Sequence, residues 1–339
     1  MYKKTLIQKA VLLTLICCLA LGASGCGSRD KEADAGAENT GQPEFDVVRL
    51  PSSSNPLTVD TVGVAEKLGY FEEQRIKVER IGIVPWAQLI PSLTSDKLDF
   101  GSGHINRVIV AVAAGARIKA VAANTLTTKQ KPHMTFISME NSGIKSPQDI
   151  FGKKVAIMAY GGCNEYTPYE YLKKNNVSEP KDKFEIVVVP AGKEEETMRN
   201  GRVDIAGVHD DPANVLARGG AEIIFTDYDI WGDVGGQAPF FASEDFINRN
   251  PDLVRRFVTV IGKVNKWINE NQQEAVKINS EIYKLDAEKV RANYFVEDAV
   301  IKEETVQLWI DILNGYNDLK RGVEASEVYT NEFNPNFKK

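Results

Sequence analysis

From residue 45 onward, short apolar runs alternate with amphipathic stretches, and the alternation predicts strands and helices in turn. Asp46 to Leu50 reads as a strand, followed by a Ser-rich loop over 51–55. Helical spacing from Leu57 to Leu68 predicts a helix that Gly69 stops, and Ile76 to Ile83 predicts the next strand. A helix over Trp86 to Leu93 comes next. Further along, Ser146-Pro147-Gln148-Asp149 opens a short helix, Lys153 to Met158 is a strand, and Gly161-Gly162 makes a tight loop. Tyr166 to Lys174 predicts a helix and Phe184 to Val189 a strand. Beyond residue 249 the period becomes helical throughout. Asn250 is placed to cap a helix with Pro251 at its first position, and Val254, Phe257, Val258, Ile261, Val264 and Ile268 form one stripe. Val306, Trp309, Ile310 and Leu313 mark a second stripe within Glu303 to Leu319.

One unit occurs twice. Asp-Lys-Leu-Asp-Phe-Gly-Ser-Gly-His over 96–104 matches Gly-Arg-Val-Asp-Ile-Ala-Gly-Val-His over 201–209, and Gly115-Ala116-Arg117-Ile118 matches Gly220-Ala221-Glu222-Ile223 in the same register. Each copy has a short strand (Leu98 to Gly101, Val203 to Ala206), a loop carrying a histidine, a helix, and a second strand (Ile118 to Ala123, Glu222 to Phe225). Copies this far apart predict two similar α/β lobes rather than a solenoid. Strands alternating with helices predict mostly parallel sheets, and loops at the strand ends would line the crevice between lobes. The expected boundaries are 45–136 with 240–339 for the first lobe and 137–239 for the second. The crossings fall near His133 to Met139 and Phe240 to Ser243, a hinge about which lobes could close. The helical C-terminal part is expected to lie on the first lobe.

The ends and composition add a location. Lys3, Lys4 and Lys9 precede an apolar run from Ala10 to Leu21 that is short for a bilayer span, then Ala23-Ser24-Gly25-Cys26. This resembles the bacterial lipobox, with Ala23 where Leu is usual. The resemblance implies a leader over 1–25 and lipidation of Cys26, which becomes the mature N-terminus. Residues 26–44 are rich in Gly, Ser, Ala, Asp and Glu and read as a disordered acidic tether. The net charge is −6, and loss of the leader removes three lysines and no acid, so nothing suggests nucleic-acid binding. Of the four cysteines only Cys163 lies beyond residue 26, so the folded part has no internal disulfide to rely on.

Over about Asp46 to Tyr283 the chain resembles the substrate-binding proteins of bacterial ABC importers for nitrate, alkanesulfonates, taurine and thiamine-precursor pyrimidines. The resemblance rests on Ala65-Glu66-Lys67-Leu68-Gly69-Tyr70-Phe71, Ser95-Asp96-Lys97-Leu98-Asp99-Phe100-Gly101, Asp149-Ile150-Phe151-Gly152-Lys153-Lys154-Val155-Ala156 and Asn200-Gly201-Arg202-Val203-Asp204-Ile205. It implies a two-lobe periplasmic-binding-protein fold of type II. It also implies a non-catalytic, monomeric protein, anchored by lipid on the outer face of the cell membrane. Such a protein takes a small solute from between its lobes to a permease and its ATPase, without a cofactor. A sulfonate or taurine-like solute leads; a thiamine-precursor pyrimidine or other nitrogen compound follows, and a zinc-binding lipoprotein is a third reading.

Candidate ligand residues follow from the loops. Ser52, Ser53, Ser54 and Asn55 precede a predicted helix, where hydroxyls and backbone N–H groups suit an anion; turn and capping chemistry explains them equally. Tyr160, Gly161, Gly162, Cys163 and Asn164 form the matching loop of the second lobe, and paired glycines admit close backbone approach. Ser102, Gly103, His104 and Asn106 lie in the first repeat loop, His209 and Asp210 in the second. The two histidines could hydrogen-bond a ligand, orient their loops, or bind metal with Cys163 and Asp210; no HExxH spacing or multi-cysteine cluster supports metal, and none is expected. Asp210 would take a cationic or donor end of the solute, and Asp211, before Pro212, would cap a helix. Trp86 is either a pocket wall or a core residue. No nucleophile, base and orienter stand together, which disfavours an enzyme.

Overall fold

The protein is described as a computed structural model over residues 45–338; the leader, Cys26 and the acidic segment to residue 44 lie outside the described residues. Among the described residues the strands are β1 (Asp46–Leu50), β2 (Ile76–Arg80), β3 (Gly101–Ser102), β4 (Ile118–Leu126), β5 (Thr135–Met139), β6 (Lys154–Ile157), β7 (Glu185–Val188), β8 (Ile205–Val208), β9 (Ala221–Thr226), β10 (Ala238–Ser243) and β11 (Tyr294–Phe295). The first lobe holds the parallel pair β1-β2 and a sheet of order β11-β4-β10-β3. The second holds a sheet of order β7-β6-β8-β5-β9.

These sheets are mixed rather than mostly parallel. In the second lobe β6 pairs in parallel with β7 and β8, but β5 runs antiparallel between β8 and β9. In the first, β10 runs antiparallel between β3 and β4. Both inserted strands enter from the other lobe by short connections. A parallel neighbour needs a crossover of about a dozen residues or more, and these connections, 127–134 and 227–237, are shorter, the second holding only the short helix Asp227–Trp231 and one further turn. The chain therefore passes into the second sheet between Leu126 and Thr135 and returns between Thr226 and Ala238.

The duplicated unit recurs in three dimensions. Asp99 accepts the Arg49 N–H at 2.7 Å while its own N–H donates to the Arg49 carbonyl at 3.0 Å. Asp204 does the same with Lys154, at 2.8 and 2.9 Å. Each aspartate thus clasps an earlier strand of its lobe, β1 for Asp99 and β6 for Asp204. Strand pairing in the first copy is confined to Gly101–Ser102, where a strand over Leu98 to Gly101 is expected. Asp99 is buried, and the Arg49 guanidinium completes the pairing at 2.6 Å.

Predicted helices mostly form with shifted starts. The first runs over Thr61–Lys67 rather than from Leu57, because Asp60 caps it by accepting the Val62 N–H at 3.1 Å. The helix of the second-lobe loop begins three residues early, at Cys163, and ends at Lys174. Pro251–Glu270 buries its whole predicted stripe, and Phe257 stacks on Phe100 with ring centroids 3.8 Å apart. The last long helix, Glu303–Gly315, does not rest on the first lobe alone. Its Trp309 is fully buried, with ring centroids 5.2 Å from Trp231 and 6.2 Å from Tyr166, both reached through the second lobe.

The two connections between lobes run side by side. The Thr127 N–H donates to the Gly235 carbonyl at 3.3 Å. Gly236 has φ +67°, and a Cβ there would lie 2.3 Å from Thr127 Oγ1 and 2.6 Å from His133 Cβ, so both conformation and space require glycine. Beneath them Asp227 is buried, accepting hydrogen bonds from the Thr127 hydroxyl and, at 3.1 Å, the Met134 N–H. Burial pushes its pKa up from 3.8 to about 6. The folded chain then holds this proton more tightly than the unfolded one between those values, so the group's contribution to stability falls as pH rises through that window. A displacement of that size is worth ~3 kcal/mol. Urea unfolding of wild type and Asp227→Asn should show the variant gaining on wild type by about that amount from pH 4 to pH 7. A difference independent of pH would mean that this carboxyl titrates normally.

Candidate functional site

β3, β6 and β8 end on loops that face one another across a cavity of about 290 Å³, at the small end of ligand pockets. Ser52 to Asn55 line it, as do Ser102, Gly103 and His104 from the first lobe and Gly162, Cys163, Asn164 and His209 from the second. The serine loop keeps its turn chemistry as well: Ser53 Oγ accepts the Asn55 N–H at 3.3 Å, and Asn55 Oδ1 the Leu57 N–H at 3.2 Å. It no longer abuts a free helix N-terminus, since the helix starts at Thr61 under its Asp60 cap.

Trp86 opens the helix Trp86–Thr94, half exposed, and forms a wall of the cavity. It lies over Gly103 so closely that a Cβ there would come within 2.3 Å of the indole ring. Glycine at 103 is therefore what lets the edge of the indole approach the loop so closely.

Four expected ligand residues do not line this cavity. Asn106 is wholly buried and ties the lobes together, donating to the Gly161 carbonyl at 2.9 Å. Gly161 also spends its N–H on Glu165, at 2.5 Å, so only one of the paired glycines borders the cavity. Tyr160 is exposed outside it. Asp210 faces a neighbouring cavity of about 510 Å³ and is paired with Arg218 at 2.7 Å and Asn214 at 3.1 Å. A carboxylate so engaged has little left for a cationic ligand group. Asp211 stands at the cap position of Pro212–Ala217 without capping it, and turns to Lys131 at 3.5 Å and Arg291 at 3.8 Å.

Several cavity residues escaped the sequence reading, Arg107 and His133 among them. Arg107 lies one turn after His104 on the helix Ile105–Ala113, a spacing that puts both on one face and could have revealed it. Its guanidinium sits 4.7 Å from the Trp86 ring centroid, and its side chain donates no hydrogen bond and forms no ion pair among the described residues. His133 sits on the outgoing connection just before β5. Its Nε2 is 3.4 Å from Cys163 Sγ, and His209 Nε2 is 3.8 Å from the same sulfur.

Burial keeps the imidazoles and the thiol of this floor neutral. Burial lowers the His104 pKa to about 3 and that of His209 to about 4, with Arg107 adding to both, and lowers His133 well below its ordinary value. Burial pushes the Cys163 thiol up to about 12, against the pull of Arg107. Asn106 gives its amide N–H to Gly161, so its Oδ1 accepts from His104 Nδ1 at 3.1 Å, leaving Nε2 as the ring's bare lone pair. That nitrogen is buried without a hydrogen-bond partner. Asn164 Nδ2, on the cavity wall, is likewise buried and unpartnered. The floor thus offers one free cation, one unspent amide donor and a set of neutral imidazoles.

Known proteins place this geometry. A protein of Bacillus subtilis (strain 168) named for binding aliphatic sulfonates is 24% identical over 98% of this chain and 96% of its own. Among solved structures, the alkanesulfonate-binding protein SsuA of Xanthomonas axonopodis pv. citri, bound to MOPS, superposes with a TM-score of 0.67 at 16% identity, covering 85% of this chain and 99% of that one. The periplasmic nitrate-binding protein NrtA of Synechocystis PCC 6803 gives 0.68 at 15% identity, covering 86% and 88%. The fold is that of type II periplasmic binding proteins, as its two lobes imply. The family model described as NMT1/THI5 like matches residues 60–275, and the chain belongs to that family.

Proposed function

We propose that the protein captures a small aliphatic sulfonate between its lobes and delivers it to the permease and ATPase of an ABC importer. The observation that carries this reading is Arg107, a cation on the cavity wall with no carboxylate of its own among the described residues. Lining the same cavity are the unspent amide of Asn164 and the hydroxyls of Ser52 and Ser54, donors suited to sulfonate oxygens. Trp86, Leu89 and Phe240 supply an apolar wall for an alkyl chain. The Bacillus relative's name supports the same class. Contacts from both lobes would favour the closed form, and closure about the two adjacent connections would present it to the permease. Anchoring by lipid at Cys26 and the acidic tether would keep a monomer beside that partner, outside the cell membrane. The role is binding, with no chemical change to the solute.

Thermal unfolding in the presence of taurine, ethanesulfonate, nitrate and a thiamine-precursor pyrimidine tests the reading. A sulfonate at about a hundred times its dissociation constant should add roughly 2.7 kcal/mol of apparent stability, with no gain from the pyrimidine. A shift with nitrate or the pyrimidine alone would transfer the assignment to that solute.

A further inference from the structure

The chain has three histidines and, beyond residue 26, one cysteine, and the fold brings all four side chains to the floor of one cavity. They come from separate places: the first-lobe loop (His104), the connection (His133), the start of a second-lobe helix (Cys163) and the end of β8 (His209). We infer that this cluster is a transition-metal site, taking a divalent zinc-class ion on His104, His133 and the Cys163 thiolate, with His209 beside the remaining position. The inference concerns the same cleft as the proposed solute site but does not depend on the solute being a sulfonate.

Spacing is the first support. Zinc bonds of about 2.0–2.1 Å to nitrogen and about 2.3 Å to sulfur put tetrahedral ligands roughly 3.4 Å apart for two nitrogens and roughly 3.6 Å apart for nitrogen and sulfur. The sulfur lies 3.4 Å from His133 Nε2 and 3.8 Å from His209 Nε2. Ligand atoms of His104, His133 and Cys163 all fall within 4.8 Å of one another, so contraction of up to about 1.4 Å closes the set.

The surroundings are the second support. A metal-bound imidazole characteristically donates its other N–H to an oxygen, which fixes the ring, and Asn106 Oδ1 takes this part for His104. The nitrogen left over is a buried lone pair with no partner, an arrangement that costs free energy unless something occupies it. Neutral imidazoles and a soft sulfur select zinc-class ions over calcium or magnesium, which prefer oxygen. On binding, the ion takes up the sulfur lone pair and the thiol proton leaves to solvent, so thiolate offsets one of the two added charges. Arg107 opposes the remainder, and an anionic solute in the cleft would relieve both.

Cobalt(II) titrated into the purified, chelator-treated protein tests this. One equivalent should bind, with the intense visible bands of a four-coordinate ion and a sulfur-to-cobalt charge-transfer band in the near ultraviolet, and one equivalent of zinc should displace it. Cys163→Ser should lose the charge-transfer band and bind zinc roughly 100-fold more weakly, since even groups behind the ligands contribute on that order. His133→Asn, which keeps the thiol, should weaken zinc similarly and serves if the serine variant fails to fold by circular dichroism. A pale six-coordinate spectrum, or affinity unchanged in both folded variants, would overturn the site. Zinc binding without any sulfonate binding would remove the solute reading alone, and the converse would remove only the metal site.

Discussion

Replacing Arg107 with alanine should weaken sulfonate binding by about two orders of magnitude and cost the unliganded protein no more than about 2 kcal/mol. Removing one partner of a buried, hydrogen-bonded charge pair costs about 2–5 kcal/mol in affinity, much of it from the charge left behind. Here the ligand brings the second charge, because the guanidinium has no ion-pair partner among the described residues. The free protein loses only the contact with Trp86, worth roughly 0.5–2 kcal/mol. Titration calorimetry of wild type, Arg107→Ala and Arg107→Lys against ethanesulfonate would measure it. Lysine should recover part of the loss, since it keeps the charge but not the two-pronged geometry. Equal affinity in all three would place the anion elsewhere in the cleft.

Trp309→Ala should destabilise the protein by about 3–5 kcal/mol, the usual cost of emptying a buried aromatic site, and lower its melting temperature by roughly 10 °C. Trp309 has no exposed surface and meets His104 edge-to-face with ring centroids 4.5 Å apart. Trp231 and Tyr166 pack on its other sides, leaving little room for collapse. A calorimetric loss below about 1 kcal/mol would show that neighbouring rings refill the space. The same substitution frees one side of the His104 ring, so the residue links C-terminal packing to the cleft.

What could be read from the chain was whatever repeats or alternates locally. The duplicated motif placed His104 and His209 at equivalent strand ends, and both line the cavity. The stripe on Pro251–Glu270 is buried as its period implies. Strand direction was not legible: the apolar run of β10 has the same pattern in either sense, and its antiparallel setting depends on arriving from the other lobe. Asp210 looked free because Arg218, on the far end of a short helix, gives no signal until the helix turns it back. His133 carried no motif, only its rarity and its place on a crossing. Arg107 was concealed in an apolar helix, where a single cation reads as a surface residue until the cavity is seen.

The two exchanged strands decide how such a chain can assemble. β3 and β4 are held together only through β10, which follows the entire second lobe in sequence. The first sheet thus stays open at its centre until the other is largely synthesised, and its closure carries the entropy of a long loop. The second lobe needs only the chain from β5 to β9 to complete its own sheet. Assembly is ordered by connectivity: the later lobe can form first, and the earlier one is finished around it. A fragment ending before Ala238 would leave β3 and β4 without their common partner, so the first half of this duplication is no longer a separable folding unit.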